Sequence, residues 1–304
     1  MHIELMQKEF MLEKKYEGLT ETSLESYTLF FKGWNDWLES EGIEHTEELT
    51  PRVSKKFLMW CQNEKGNKPQ TINTKLKLLR VFARWLKDEG VTKELITHGI
   101  KSQRQDDSPK IMREEDLQQA LRHLRRVKRR EDSFTARRNY ALLMFMAGTG
   151  MRLSEIERTH WKDIDLKDYL INITTSKSRK TQSVPLSESL ARELMDWRLF
   201  LERKFPQRVP EFLFVTKEGT PLSKSAIQNF FKRLRIRLGL QGDFSPHCMR
   251  NFYIKQLLKG GANLREVQLL ARHSKMDVTR KYIGYFNHEL KDTLDKSNPL
   301  RDLL

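Results

Sequence analysis

Apolar residues recur at helical spacing through most of the chain. Leu24, Tyr27, Phe31, Trp34 and Leu38 step by three and four, which is one face of a helix, and Gly42 marks its end. Thr50 followed by Pro51 reads as an N-cap with proline in the first helical position, opening the segment PRVSKKFLMWCQNEKG. Beyond it, PQTINTKLKLLRVFARWLKDEG sets Ile72, Leu76, Leu79, Phe82 and Leu86 on one stripe. Lys75, Lys77, Arg80, Arg84 and Lys87 fall largely off that stripe. A helix with an apolar inner face and a basic outer face can lie against a phosphate backbone or in a major groove. A solvated lysine face fits the same pattern.

Residues 97 to 112, THGIKSQRQDDSPKIM, lose the periodicity; polar residues and Pro109 dominate, as in a linker. After it the pattern predicts a helix near 114–128, a basic patch RRVKRR at 125–130 and a buried helix at 138–147. YLINITT (169–175) and TQSVPL (181–186) flank SKSRK and read as a hairpin; EFLFV (211–215) reads as a short third strand. From 223 onward the spacing is helical again, and no internal repeat stands out. The expectation is a mainly α chain in two domains, residues 1–104 and 113–304, the second carrying a small antiparallel β-sheet.

Composition changes this picture in one respect. Apolar residues make up 38% and charged residues 32% of the 304 positions, enough for packed cores. The longest apolar run, YALLMFMAG at 140–148, is too short to span a bilayer, and the first residues lack a secretory signal pattern. Cys61 and Cys248 are the two cysteines, so no disulfide framework or cysteine zinc site is indicated and a cytoplasmic chain is expected. Net charge, however, is +15 and comes in blocks: −8 over residues 1–48, +7 over 49–107 and +16 over the remainder. An excess of that size favours a polyanionic partner, nucleic acid before an anionic membrane.

Four places concentrate reactive groups. TGMRLSEI holds Arg152 and Glu155 one helical turn apart, where Gly150 ends one helix and Ser154 can cap the next. A planar guanidinium oriented by a carboxylate suits a phosphodiester, although local surface pairs of this kind are common. SKSRK offers Lys177, Arg179 and Lys180 on a turn that could reach a substrate or simply be solvated. SPHCMRNFYIKQLL places His247 and Arg250 on one face, starting at Pro246. Finally, ARHSKMDVTRKYIGY brings His273, Tyr282 and Tyr285 among cations. A tyrosine activated by neighbouring charge is a competent covalent nucleophile.

In the order Arg, Lys, His-x-x-Arg, His, Tyr, these groups resemble the tyrosine recombinase family of phage integrases and Xer-type site-specific recombinases. TGMRLSEI is similar to its first arginine box, and SPHCMRNFYIKQLLKGGANLREVQLLARHSKMDVTRKYIGY to its second box through to the tyrosine. TETSLESYTLFFKGWNDWLESEG and PQTINTKLKLLRVFARWLKDEG resemble helices of the family's core-site DNA-binding domain, so the likeness runs from about residue 20 to 285.

The resemblance implies a two-domain clamp, an N-terminal helical core-binding domain and a C-terminal catalytic domain. It implies Arg152, Arg250 and His273 on the scissile phosphate, and Lys177 as general acid with Lys180 as the other candidate. His247 would assist proton transfer or position the phosphate, Glu155 would support from behind, and Tyr282 would be the nucleophile. Lys75, Lys77, Arg80, Arg84, Lys87, Arg179 and Lys180 would be DNA contacts. No metal and no cofactor are implied. The partners would be a double-stranded DNA recombination site and further copies of the chain, as a tetramer on paired sites, in the cytoplasm and on the nucleoid when bound. The tail from about 288 would pack on the next protomer.

In two respects the sequence departs from the family pattern: Arg272 stands where glycine is common before the histidine, and the hairpin SKSRK is not glycine-rich. Arg272, Lys275, Arg280 and Lys281 are expected to touch the DNA backbone or solvent. Two other readings stand beside this one. A non-catalytic regulator on the same fold would tolerate loss of the tyrosine or an arginine. A metal-dependent nuclease would use DIDLKD (163–168), which reads better as a turn.

Overall fold

The computed structural model describes residues 1–105, 108–174, 181–273 and 276–282, and the chain divides into two compact units, Met1–Asp106 and Asp107–Leu304. The first contains α1 (Ile3–Tyr16), α2 (Glu21–Ser40), α3 (Pro51–Asn63) and α4 (Pro69–Asp88). The stripes expected on α2 and α4 are all buried, and α3 begins as expected, with the Thr50 hydroxyl accepting from the Val53 N–H at 3.2 Å. Aromatic rings fill the centre. Phe82 meets Phe10, Phe31 and Trp34 with centroids 5.3, 5.0 and 5.8 Å away, all edge-on, the arrangement ring quadrupoles favour.

The α1 helix is an addition to what the sequence pattern predicts, which assigns nothing there. Its inner residues Ile3, Met6 and Phe10 are buried, and Glu13 accepts from the Trp85 indole at 2.7 Å, tying α1 to α4. The outer face of α4 is mixed. Lys77, Arg84 and Lys87 are exposed, whereas Lys75 lies 5.5 Å from the Phe57 ring centre and Arg80 donates to the Ile100 carbonyl at 2.6 Å.

The second unit runs α5 (Glu114–Glu131), α6 (Phe134–Thr149), α7 (Leu153–Arg158), β1 (Ile164–Asp165), β2 (Leu170–Thr174), β3 (Thr181–Pro185), α8 (Glu188–Lys204), α9 (Lys224–Leu238), α10 (Pro246–Lys259), α11 (Leu264–Leu270) and α12 (Met276–Arg280). Buried α6 forms the centre, with Leu142, Leu143, Phe145 and Met146 at most 1% exposed. The sheet is antiparallel in the order β1-β2-β3, pairing Ile164 with Ile171 and Ile171 with Val184.

Two expectations need correction here. The third strand is Ile164–Asp165, within the segment read as a turn, and not EFLFV. Leu213, Phe214 and Val215 are buried, but their backbone is claimed by different partners: Leu213 N–H donates to Thr159, the Leu213 carbonyl accepts from the Trp197 indole, and Phe214 accepts from Leu222. No continuous ladder can form from such dispersed bonds. The turn reading of DIDLKD survives in part, because an Asp165 oxygen accepts from the N–H groups of Lys167 and Asp168.

Phe82→Ala should destabilise the chain by about 3–5 kcal/mol, while Lys77→Ala should change stability by less than about 0.5 kcal/mol. Chemical denaturation measures both; a Phe82→Ala chain as stable as the parent would refute the packing account.

Candidate active site

Local sequence rules place the first arginine. Gly150 ends α6 in the left-handed conformation, φ 55°, and a Cβ there would sit 2.2 Å from the Tyr253 ring. Chain reversal at this point puts Arg152 at the N-cap of α7, rather than the expected Ser154. Glu155, one turn on, accepts from the Arg152 backbone N–H at 2.8 Å through one oxygen and from its guanidinium at 2.8 Å through the other. The remaining arm of Arg152 donates to the Arg272 carbonyl at 2.8 Å. The side chain is therefore fixed at both arms yet stays partly open, with 39% of its surface exposed.

Ser245 caps α10, accepting from Cys248 N–H at 3.2 Å, and Pro246 occupies its first position. That sets His247 at the exposed edge and Arg250 inside. Arg250 donates to the Gly150 carbonyl at 2.7 Å and to the Ala271 carbonyl. Burial first, then the Arg152 and Arg272 charges, push its pKa down to about 9, so it remains a cation at neutral pH. Partial desolvation of the His247 ring and then the Arg250 charge hold that histidine below its ordinary value.

Arg152, Arg250 and His247 share a cavity of about 440 Å³, and Lys232 and Arg235 of α9 line it as well. No carboxylate lines it among the described residues. Those two α9 cations carry no signal in the sequence beyond the general basic excess.

His273 follows α11 and is buried; its Nδ1 lies 2.9 Å from the Thr279 hydroxyl, which is itself fully buried. Burial, followed by Arg250, Arg152 and Arg272, lowers its pKa to about 4, so the ring is neutral at pH 7. Tyr282, just beyond α12, is 5% exposed and donates to Asn251 Oδ1 at 2.7 Å. Asn251 in turn donates to the Lys110 carbonyl at 2.8 Å.

The expectation for Arg272 is overturned. Its side chain is 1% exposed and pairs with Glu155 at 3.1 Å, so it contacts neither solvent nor a DNA backbone. Glu155 thus has a second cationic partner that the sequence pattern does not disclose. Burial acts to raise the Glu155 pKa, but Arg272 foremost and Arg152 hold it below the ordinary carboxylate range. Thr279 and Asn251 carry no sequence signal of their own either. Lys177, Arg179, Lys180, Lys275, Tyr285 and the tail from 288 lie outside the described residues.

A cationic cavity lined by two immobilised guanidiniums, with no carboxylate among its described lining residues, has the chemistry to accept an oxyanion or phosphate. Residues 110–288 match the family model described as phage integrase family, and 6–93 match the phage integrase N-terminal SAM-like domain. The chain belongs to the phage integrase family, and it is a tyrosine-type site-specific DNA recombinase. It is similar to the tyrosine recombinase XerC of Bacillus licheniformis, 30% identical over 94% of this chain and 91% of that one, and to that of Bacillus pumilus, 29% identical over 94% and 91%. Its fold is like that of the Tn1549 transposon integrase in complex with transposon right end DNA (TM-score 0.77, 16% identity, 98% of this chain and 99% of that chain). The XerH recombinase bound to palindromic difH substrate is also similar (TM-score 0.75, 19% identity, 90% and 79%).

The depressed His273 pKa has a stability consequence. The unfolded chain takes up this proton near pH 6.5 and the folded chain near 4, so the contribution is complete above 6.5 and is lost as pH falls through 4. Its ceiling is about 3 kcal/mol. His273→Asn should therefore flatten the fall in stability between pH 7 and pH 4, measured by denaturant midpoints; an unchanged slope would contradict the buried neutral imidazole.

Proposed function

We propose that Tyr282 attacks a DNA phosphodiester held by Arg152, Arg250 and His273, with Lys177 protonating the leaving 5′-oxygen and Lys180 as the second candidate for that proton. The observation that carries this reading is the convergence of Arg152, Arg250 and His247 on one cavity with no carboxylate among its described lining residues, together with a tyrosine hydroxyl bonded to the residue after Arg250. Such a cavity favours the negative charge that builds on the non-bridging oxygens as phosphorus becomes five-coordinate. One preorganised donor is worth about 2.7–4 kcal/mol of barrier, though several do not add linearly.

In this step the tyrosyl oxygen bonds to phosphorus and the bond to the 5′-oxygen breaks. The products are a 3′-phosphotyrosyl enzyme and a free 5′-hydroxyl. The 5′-hydroxyl of a second strand then attacks the same phosphorus, releases Tyr282 and rejoins DNA. Bond energy is conserved in the ester, so the cycle calls for no ATP, and cationic side chains do the work that a metal ion does elsewhere. His273 is neutral and can act as a hydrogen-bond donor through Nε2 when the Thr279 hydroxyl donates to Nδ1. His247, at the cavity's exposed edge, would assist proton transfer or position the phosphate. Glu155 would hold Arg152 from behind.

The substrate would be a double-stranded recombination site, in keeping with the +15 net charge and with the DNA complexes solved for proteins of like fold. On the first unit, exposed Lys77, Arg84 and Lys87 are the better candidates for DNA contact, since Lys75 and Arg80 are partly engaged within the unit. The working assembly would be a tetramer on two paired sites, bridged by the tail from about 288, and the protein would act in the cytoplasm on the nucleoid.

Genomic fragments enriched on the protein would supply the site. On a nicked duplex of that site, Tyr282→Phe should lose detergent-resistant covalent capture completely while duplex binding persists. Capture surviving in Tyr282→Phe but lost in Tyr285→Phe would move the nucleophile by one helical turn. No capture by the wild-type chain would instead favour a non-catalytic regulator. Deleting residues 288–304 should weaken assembly on paired sites and spare single-site binding, both read by gel mobility; equal assembly would remove the bridging role of the tail.

A further inference from the structure

Residue 272 combines two features that do not usually occur together. Its backbone has φ 55°, the left-handed region that glycine enters freely and an L-residue enters with strain. Yet it carries a long cationic side chain, and that side chain is buried. The question is what this side chain does that a glycine could not.

The contacts say what that is. Arg272 donates to the Leu270 carbonyl at 2.8 Å, to Glu155 Oε2 at 3.1 Å and, at 3.5 Å, to the Gly150 carbonyl. Its own carbonyl takes one arm of Arg152 at 2.8 Å. Glu155 takes the other arm at 2.8 Å. Arg152 is therefore gripped between residue 272 on one side and Glu155 on the other, while Glu155 is gripped by residue 272. Glycine would retain the carbonyl but release Glu155 Oε2, leaving that oxygen with the Arg152 backbone N–H at 2.8 Å. A carboxylate so released can rotate, and the guanidinium it orients can follow.

The Arg272 guanidinium is too buried to reach a substrate phosphate, so a direct contact is not its role. Among the described residues its Nε finds no hydrogen-bond partner, so this burial is incompletely compensated. A buried donor left in that state is a cost the fold tolerates where the rest of the group is needed.

We propose that Arg272 is a positioning residue for strand cleavage: it locks the Glu155 carboxylate and thereby the orientation of the Arg152 guanidinium that faces the scissile phosphate. This rests on the reading of Tyr282 and Arg152 given above.

The test uses the full-length chain and a nicked duplex of the site enriched by the wild-type protein. The rate of covalent tyrosyl–DNA formation is measured at saturating duplex, together with duplex affinity and melting temperature, for R272G, R272K, E155Q and the R272G/E155Q double variant. Because a remote misplacement of a catalytic group costs up to about a hundredfold, R272G should form the adduct between about ten- and a hundredfold more slowly. Its duplex affinity should stay near the parent's. R272K, which keeps the charge beside Glu155, should recover part of the rate. In the E155Q background R272G should add little, since the two act in series.

A wild-type rate in R272G overturns the proposal. So does a full additional loss in the E155Q background, or a loss of affinity that matches the loss of rate. Should R272G fail to fold, R272K and the R272K/E155Q pair decide the question in its place: independent effects overturn the proposal and non-additive ones sustain it. If wild-type protein forms no adduct, the nucleophile reading falls and this role with it; if it does, the outcome bears on Arg272 alone.

Discussion

The Glu155 carboxylate is the contact on which the site depends. The Arg152 charge lies close enough to help depress the pKa values of Arg250, Arg272 and His273, and Glu155 is the buried anion placed among the three arginines. Three cations against one anion leave two positive charges in excess. The fold tolerates the excess because other guanidinium N–H groups, though not the Arg272 Nε, are taken up by carbonyls of Gly150, Leu270, Ala271 and Arg272. These carbonyls belong to two turns, one after α6 and one after α11. The same bonds that satisfy the arginines therefore fix the two turns against each other. Removing one partner of a buried pair typically costs about 3–5 kcal/mol, since the other charge is left uncompensated. Fold and site share a single set of bonds here.

That arrangement sets the cavity's two arginines in advance: Arg250 is immobilised by burial and Arg152 by contacts to both its arms, so little side-chain entropy would be lost on meeting an anion. Lys232 and Arg235, on the exposed face of α9, line the same cavity and add charge to it. His273, neutral and held by Thr279, adds no further charge to this region.

How much of this the sequence disclosed follows from the range of each interaction. Helices with an apolar stripe, such as α2 and α4, were legible because their periodicity is set by burial on one face. Caps at Thr50, Gly150 and Ser245–Pro246 act over three or four residues and left local signatures. The α1 helix left a weaker one, since Leu5, Leu12 and Tyr16 remain exposed and blur its stripe. EFLFV has the composition of a strand, but its hydrogen-bond partners come from Thr159, Trp197 and Leu222, which no local rule supplies. Among the candidate site residues, the tyrosine, the arginines and the histidines were picked out through the family's spacing, and Arg152, His247 and Arg250 of that set line one cavity. Arg272 was visible as a departure from that spacing, but its pairing with Glu155 spans 117 positions and belongs to tertiary structure.

The setting of Tyr282 adds a constraint on the chemistry itself. Its hydroxyl donates to Asn251, whose amide is anchored on the Lys110 carbonyl, and its ring packs with Ile254, Val267 and Ala271. A phenol that donates this bond is protonated, and the acceptor is a neutral amide that cannot take the proton. On the proposal that Tyr282 attacks phosphorus, the hydroxyl must give up Asn251 and lose its proton close to the point of bond formation. Arg250, one residue before Asn251, brings a buried positive charge close to that hydroxyl. Glu155 cancels only one of the three guanidinium charges, so the surroundings of Arg250 stay net positive.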